Sequence, residues 1–464
     1  MADATRRGFL QSLATMSLVG PLSLTAQARR SVGAKKLIVV YADGGWDTTY
    51  TIDPKLSSNE VEGPERHQTC AQNPEDCEAV RTVQGIPVSS NLWKRPNVDS
   101  FLERHGDKLT VVNGIWVGNI AHNECRYRML TGTPLNINPD LSVISGHAHG
   151  AHLPLGQVDL SGFSLTGTLA ASTGRVGARS QIKSLIDPQE ALVSAVPGES
   201  WPRYVPEPAH EQAVRAFLRR RADGLRGTRG DVRNDIHLDA LEESIDRAER
   251  VRREGYGIAQ KLSLGNEPTF DAEMEIAVQL LEEEICQCVM VEASGNSNDV
   301  WDTHEDNFPQ HALWDGLFCR LGDLVDTLIC RGMFEDTLVI VLSEMSRTPK
   351  YNESGGKDHW PHTSALFLGG GLPGGRVLGG TDDLAESMPV DLDTGRVDPS
   401  GALLKYDNFV AGILETLDVD PTPWLPGVAP FRGLTADGMA LPPSVDSGVC
   451  EALESLDVCV VEAP

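Results

Sequence analysis

Basic side chains are scarce in this sequence relative to acidic ones. The 464 residues include 40 Lys and Arg against 66 Asp and Glu, which gives a formal net charge of −26 at pH 7 and a pI near 4.8. Nucleic acids and anionic membranes are bound mainly through clustered Lys and Arg, so the composition argues against both as partners. The basic run Arg219–Arg221 is interpreted as a solvated helix face.

Long apolar runs are also missing. Beyond the N-terminal segment, no stretch approaches the roughly 18 to 20 residues of a spanning helix, so we expect no membrane span in the mature chain. The glycine-rich stretch 368–380 lacks the Gly-Lys-Ser/Thr ending of a phosphate-binding loop. Tight turns at an edge hairpin explain that stretch at least as well.

The N-terminus has the form of an export signal. Thr5–Leu10 reads TRRGFL, and it is followed by a mildly apolar segment to Leu24 and by Ala26-Gln27-Ala28, which resembles a small-residue cleavage site. We therefore assign residues 1–28 to a twin-arginine signal peptide and the mature protein to the periplasm or the extracellular space. An unprocessed amphipathic start is the alternative interpretation.

The nine cysteines suit an oxidising compartment. Local spacing favours Cys70–Cys77 and Cys450–Cys459 as disulfides, although spacing alone leaves the connectivity open. Cys286 and Cys288 are two apart at the start of a strand, so we predict core residues there instead of a bridge.

Five apolar runs predict the strands of a mostly parallel sheet. They are Lys36–Ala42, Leu109–Val112, Cys288–Glu292, Thr337–Leu342 and Ala365–Leu368. Apolar residues at three-or-four spacing between Gln310 and Cys330 predict an amphipathic helix, and strand, helix and strand together form a right-handed parallel unit. Ligands of open α/β sheets bind outside the carboxyl ends of the strands, so the residues after each strand are the candidates for chemistry.

Changes in composition along the chain predict separate structural segments. Residues 34–152 and 266–440 are predicted to form two parts of one α/β core. The intervening residues 153–265 are turn-rich and then charged, with helical patterns such as Ala213–Arg221 and Leu238–Arg253, so we predict a helical insertion or cap. Residues 441–464 are a C-terminal tail.

Acidic and imidazole side chains follow the strands. Asp302 and His304 lie two apart in a loop, Glu344 lies just beyond a buried strand, and Asp358 and His359 come soon after a Gly-Gly turn, with His362 close behind. Carboxylate and imidazole ligands suit zinc, manganese or iron better than calcium, which prefers oxygen alone. The pattern predicts a hydrolytic metal site.

Several candidates also have a purely structural interpretation. Asp302 can cap the backbone with His304 hydrogen-bonded nearby. A carboxylate at the end of a buried strand costs several kcal/mol to desolvate unless a donor compensates it, and Arg347 could be that donor for Glu344. His362 can simply pack against Trp360.

Four motifs resemble the family catalogued as domain of unknown function 1501. They are Trp301–His304, Ser343–Pro349, Gly356–Pro361 and Gly369–Gly371, and the likeness runs from about Leu37 to Asp382. Members of this family are commonly exported by the twin-arginine route and are similar to sulfatases and the wider alkaline phosphatase superfamily. The resemblance implies a three-layer α/β sandwich with a central mostly parallel sheet and a helical insertion.

The resemblance also implies roles for single residues. The superfamily's first metal-binding Asp falls on Asp43, directly after the first strand. The later strand that ends in Ser-Asp-His or Ser-Asp-Asn in relatives ends here in Ser343–Met345. Glu344 can still ligate a metal, whereas the thioether of Met345 would not replace a zinc-binding His, so the sequence departs here from a full two-metal site.

A second departure concerns the nucleophile. Sulfatases contain the pattern Cys-x-x-x-Arg-x-x-x-Leu-Thr-Gly, and the segment from His122 to Gly132 resembles it in spacing. His122 stands at the nucleophile position, Arg126 matches, and Cys125 lies three residues late. We assign His122 to a ligand or acid–base role, and Arg126 and Arg347 to holding an anionic ester group.

The sequence therefore predicts an exported metal-dependent hydrolase of sulfate or phosphate esters, acting on a small-molecule or glycan ester. The cofactor is a divalent metal, preferably zinc, with manganese, iron or calcium as alternatives. A catalytically degenerate metal- or ligand-binding protein is the competing prediction, and a metal-dependent mutase or transferase is a third. The predicted ligands are Asp43, Asp302, His304, Glu344, Asp358, His359 and His362.

Overall fold

The computed structural model describes residues 36–64, 78–175, 208–226, 235, 238–239, 241–247, 269–294, 300–436 and 450. The predicted signal peptide, Cys70, Cys77 and Cys459 lie outside these residues. No helix within the described ranges is long and apolar enough to cross a membrane.

An eight-stranded mixed sheet organises the chain. The strands are β1 (Lys36–Tyr41), β2 (Ala79–Val83), β3 (Ile86–Ser90), β4 (Leu109–Trp116), β5 (Gln157–Asp159), β6 (Thr173–Arg175), β7 (Cys288–Glu292), β8 (Thr337–Leu342), β9 (Ser346–Arg347), β10 (His359–Trp360), β11 (His362–Gly369), β12 (Arg376–Gly379), β13 (Pro389–Val390) and β14 (Ala402–Leu403). The central sheet has the order β12-β4-β11-β8-β1-β7-β5-β6. Within it, β11 is antiparallel to both neighbours and the other pairs are parallel.

The middle strands consist almost entirely of apolar residues because both faces of the sheet are covered. β1 reads KLIVVY and β8 reads TLVIVL, and every residue of β8 is buried. Parallel strands buried on both faces have such uninterrupted apolar runs because neither face meets water. Successive side chains point to opposite faces, so Ile38 packs into one hydrophobic core and Val39 into the other.

Helices cover both faces of the sheet. They are α1 (Pro96–His105), α2 (His122–Thr131), α3 (Leu141–His149), α4 (Pro208–Leu225), α5 (Phe270–Glu282), α6 (Gln310–Cys330) and α7 (Tyr406–Thr416), with short 3-10 turns at Thr48–Tyr50, Gly106–Lys108, Gly167–Ser172 and Arg432–Thr435. α1, α5 and α6 contribute to the core on one face, and α2, α3 and α7 to the core on the other. The predicted three-layer α/β class with a central mostly parallel sheet is confirmed.

The predicted bounds of β7, β8 and α6 agree with the structure. The predicted insertion differs at its start, because β5 and β6 fall within residues 153–265 yet extend the central sheet beyond β7. Each of these strands has only three residues, which is too short to show a strand period in the sequence. α4 contains the predicted helix Ala213–Arg221.

A disulfide joins Cys330, at the end of α6, to Cys450. The predicted pair Cys450–Cys459 is therefore wrong, since Cys450 bonds a cysteine 120 positions away. Proximity along the chain favours near pairs through loop-closure entropy, but the folded arrangement decides which sulfurs meet. Cys286 and Cys288 are free and buried, which confirms their prediction as core residues.

Candidate metal centre

The carboxyl ends of several strands deliver polar side chains to one edge of the sheet. β1 is parallel to β7 and β8, so their ends lie side by side, with Asp43 and Glu344 following β1 and β8. β4 runs in the same direction, because β11 is antiparallel to both β4 and β8. The loop after β4 leads to His122, the first residue of α2. Gly44 adopts a φ of +120°, which only glycine takes readily, and this lets the chain turn sharply after Asp43.

Four side chains at this edge form what we call the histidine–aspartate group: His122, Asp302, His304 and His359. One potential ligand atom from each lies within 4.8 Å of the others. Asp302 is central, with Oδ2 3.5 Å from Nε2 of His122, and with Oδ1 3.2 Å from Nε2 of His304 and 3.6 Å from Nε2 of His359. The Nε2 atoms of His304 and His359 are 2.7 Å apart.

In each of the three imidazoles, Nε2 is the inner nitrogen, near Asp302, and Nδ1 is the outer nitrogen. The hydrogen bonds of the outer nitrogens indicate whether the inner ones can bind a cation. Nδ1 of His122 lies 2.7 Å from Oε1 of Glu344, Nδ1 of His359 lies 2.6 Å from the carbonyl oxygen of Ile120, and Nδ1 of His304 lies 3.3 Å from Oδ1 of Asp358. Carbonyls and carboxylates only accept, so each Nδ1 is assigned a proton, and a ring presents a lone pair at Nε2 whenever it is neutral. Lone pairs that converge beside a carboxylate repel one another unless a proton or a metal ion lies between them. The residues therefore fit a cation.

Glu344 supports the group from behind. Its carboxylate is fully buried and accepts hydrogen bonds from the backbone N–H of Gly44 (2.8 Å), the hydroxyl of Tyr41 (3.1 Å) and the hydroxyl of Ser343 (3.1 Å), in addition to His122. A carboxylate that holds the outer nitrogen of a metal-binding imidazole fixes its tautomer and orientation. Glu344 therefore contacts the imidazole of His122 instead of taking the predicted ligand position itself.

Asp43 is paired with a cationic side chain. Its Oδ1 accepts a hydrogen bond from Arg126 at 2.8 Å, and the guanidinium of Arg126 also lies over the ring of Phe163, 4.3 Å from its centroid. Burial and repulsion from Glu344 raise the pKa of Asp43 above its ordinary value, and the ion pair with Arg126 opposes that rise. Asp43 lies at the predicted edge, but its carboxylate meets Arg126 and is not among the histidine–aspartate group.

Arg347 was predicted to hold an anionic ester, and the structure gives it another role. Its side chain is fully buried and donates to the carbonyl oxygens of Gly44, Gly45 and Lys357, and to Oδ1 of Asp302 at 2.7 Å. These bonds hold the guanidinium inside the protein, and its side chain has no exposed surface. Burial raises the pKa of Asp302, but in the cation-free site the protonated inward nitrogens of His122 and His359, together with Arg347, outweigh burial and hold that pKa well below its ordinary value.

Without a bound cation, His122 is protonated on both ring nitrogens at neutral pH. Hydrogen bonds to Asp302 and Glu344 stabilise the imidazolium and raise the pKa of His122 to about 9, although burial opposes the shift. A metal that binds Nε2 has to displace this proton, so metal affinity at this site should increase as the pH rises toward 9.

Asp358 and His362 lie outside the histidine–aspartate group. Asp358 is exposed and contacts only the outer nitrogen of His304 within that group. His362 turns away from it: Nδ1 accepts a hydrogen bond from the backbone N–H of Ser387 at 3.0 Å, and its ring lies 5.4 Å from that of Trp360. The packing interpretation thus describes the position of His362.

His362 makes folding sensitive to acid. Burial lowers the pKa of His362 to about 4. His362 is therefore protonated below about pH 6.5 in the unfolded chain but only below about pH 4 in the folded chain. We expect the wild-type free energy of unfolding to fall between pH 6.5 and 4 by about 1–2 kcal/mol more than that of His362→Gln, a figure reduced for partial exposure. Urea unfolding at several pH values measures this, and parallel pH profiles of the two proteins would contradict it.

A cavity of about 270 Å³ adjoins the group. Its lining includes Asp43, His122 and Asp302, together with Glu292, Val300 and Trp301. Burial, followed by repulsion from Asp43, raises the pKa of Glu292 to about 7. Glu292 was not among the predicted site residues, although it is the last residue of a predicted strand and strand ends were the signal used for the other candidates.

The fold and the site define a class: an α/β protein whose helix-covered, mostly parallel sheet carries a candidate cation site at the carboxyl ends of its strands. The chain belongs to the family described as Protein of unknown function (DUF1501), whose profile matches residues 34–394. The family predicted from the sequence motifs is confirmed.

Several solved structures are similar to the chain at low identity. They include the lipoteichoic acid synthase from Listeria monocytogenes (9% identity, 88% of this chain and 76% of that chain, TM-score 0.34), the phosphonate monoester hydrolase of Agrobacterium radiobacter (12%, 85% and 78%, TM-score 0.30) and a protein in the alkaline phosphatase superfamily from Vibrio parahaemolyticus (12%, 84% and 69%, TM-score 0.33). No significant match was found among curated proteins.

Proposed function

We propose that this protein is a metal-dependent hydrolase of sulfate or phosphate esters that binds one divalent cation at the histidine–aspartate group. One observation carries the proposal: three Nε2 atoms converge on Asp302 while each Nδ1 is held by an oxygen outside the group. Export by the twin-arginine route is part of the proposal and rests on Arg6 and Arg7, which precede the described residues.

The donor set favours zinc, with manganese and iron as alternatives. Three imidazole nitrogens and one carboxylate oxygen suit these ions, whereas calcium takes oxygen ligands almost exclusively. When bound, such a cation polarises an ester oxygen and lowers the pKa of bound water toward about 7. Asp43 and Glu344 are engaged by protein donors, which supports a single cation per chain.

Arg126 is the side chain best placed to hold an anionic ester. One terminal nitrogen of Arg126 donates to the cavity-lining Asp43, its Nε donates to the hydroxyl of Tyr41 at 3.4 Å, and its guanidinium lies over the ring of Phe163. The N–H donors of its other terminal nitrogen are suited to the oxygens of a sulfate or phosphate group. Cys125 is a poor nucleophile, because burial raises the pKa of its thiol to about 12.

The second candidate is a cation-binding protein without turnover. The engagement of Asp43 by Arg126 and the four hydrogen bonds to Glu344 favour it, because both carboxylates are predicted metal ligands in the catalytic interpretation. Metal analysis of the mature protein combined with assays on aryl sulfates, phosphomonoesters and phosphodiesters distinguishes the two. One equivalent of metal with turnover supports the hydrolase, and one equivalent without turnover of any ester class supports the binding protein.

Replacing Arg126 should separate substrate binding from metal binding. We expect Arg126→Ala to lower kcat/KM for an anionic ester roughly 10- to 150-fold, since a hydrogen bond to a charged group contributes about 1.5–3 kcal/mol. The metal content should stay at one equivalent, and added guanidinium should restore part of the activity. Arg126→Lys keeps the charge but loses the planar fork, so an intermediate loss is expected. Unchanged kcat/KM in both variants would remove Arg126 from the site.

A further inference from the structure

The turn that carries Asp358 and His359 presses directly on the segment that carries Asp302 and His304. Gly356 makes the contact: a Cβ built on it would lie 2.0 Å from the carbonyl oxygen of His304 and 2.5 Å from that of Thr303. Both neighbours are backbone atoms, so they could not move aside without shifting the whole segment. The φ of Gly356 lies outside the positive range that favours glycine, so the requirement for glycine here comes from space alone.

Hydrogen bonds fix the same contact. The backbone N–H of Lys357 donates to the carbonyl oxygen of Thr303 at 3.1 Å. The side-chain amide of Asn352 donates to the carbonyl oxygen of His304 at 2.8 Å and to Oδ1 of Asp358 at 3.1 Å. Because Asp358 also meets Nδ1 of His304, the amide of Asn352 holds both the main chain of His304 and the partner of its ring.

We infer that Gly356 and Asn352 are positioning residues that set the separation of His304 and His359 across two chain segments. The inference rests on the proposed function, since it concerns the geometry of the proposed cation site. Ligands have to be held within about 0.5 Å of the productive arrangement. Relieving a 2.0 Å contact would move the segment of His304 by more than this tolerance of about 0.5 Å. An added methyl group at Gly356 therefore weakens cation binding although no ligand is removed.

Adjacent glycines provide a matched pair of variants. Gly355 has a φ of +88°, and the nearest atom to a Cβ there is 3.9 Å away, so Gly355→Ala strains the turn without touching the ligand segment. Gly356→Ala pushes on that segment without straining its own φ. Asn352→Ala removes both amide donors and introduces no clash.

The experiment is a Co²⁺ titration of the metal-free full chain, followed by visible absorption and by competition with a chelator. We expect Gly356→Ala to weaken Co²⁺ binding about 10- to 100-fold, as for losses of outer contacts at metal sites, and to alter the absorption spectrum of the bound ion. Asn352→Ala should weaken binding in the same direction. Gly355→Ala should lower the unfolding temperature but keep the wild-type spectrum and affinity.

The outcomes are distinguishable from those of the proposed function. If wild-type protein binds no Co²⁺, the cation site itself is overturned. If wild-type binds and Gly356→Ala matches Gly355→Ala in affinity and spectrum, the positioning role is overturned. Should Gly356→Ala fail to fold, Asn352→Ala decides: wild-type affinity and spectrum in that variant would overturn the inference.

Discussion

Asp302→Ala should abolish ester turnover and most of the cation binding while leaving the protein folded. Asp302 is the carboxylate on which all three inward-facing imidazoles converge, so its loss removes both a ligand and the negative charge that offsets the cation. Losses of outer partners alone cost about 10- to 100-fold in metal affinity, so removal of a direct ligand should cost more than about 100-fold. Metal content after dialysis and kcat on the best ester substrate measure the effect.

The fold should tolerate this change because Arg347 keeps its three carbonyl acceptors when Asp302 is removed. Asp306→Asn is the matched control: it removes a carboxylate four positions away whose Oδ1 caps the backbone N–H of Phe308, so cation binding should be unchanged. Asp358→Asn should fall between the two, because within the histidine–aspartate group Asp358 touches only the outer nitrogen of His304. Retention of one tightly bound metal in Asp302→Ala would show that the cation lies elsewhere.

Much of the architecture was predictable because burial on both sides gives a strand a recognisable composition. β8 and β7 have uninterrupted apolar runs, and α6 repeats its apolar residues at helical spacing, so their bounds agree with prediction. β5 and β6 have three residues each, and they join the sheet only because β7 offers an edge to pair with. Such pairing depends on tertiary contacts, which local sequence does not record.

The sequence indicated which residues gather at the candidate site, but it did not indicate the role of each residue there. Strand ends indicated which side chains gather at the edge, and Asp302, His304 and His359 do meet there. Whether a carboxylate faces a cation or a protein donor depends on residues far along the chain: Asp43 pairs with Arg126, 83 positions away, and Glu344 with His122, 222 positions away. The spacing of Arg347 suggested Glu344 as its partner, whereas the structure pairs it with Asp302.

The largest effect on stability should come from the buried ion pair behind the site. Nζ of Lys357 lies 2.7 Å from Oδ2 of Asp47, and both side chains are fully buried. Asp47 also accepts hydrogen bonds from Thr49 and Asn307, so it links the loop after β1 to the ligand-bearing segments. Removing one partner leaves the other as an uncompensated buried charge, which costs about 3–5 kcal/mol. We expect Asp47→Ala to lower the free energy of unfolding by that amount in urea titrations.

Two comparisons test whether the cost comes from the unpaired charge. Lys357→Met should also destabilise, but the double variant Asp47→Asn with Lys357→Met should cost less than the sum of its single changes, since no lone charge remains buried. The exposed pair Lys350–Glu60 has a similar separation of 3.1 Å, and Glu60→Gln should change stability by less than about 1 kcal/mol, because solvent screens both charges. Equal losses at the buried and exposed pairs, or strict additivity in the double variant, would mean that Asp47 acts through its hydrogen bonds to Thr49 and Asn307 and not through Lys357.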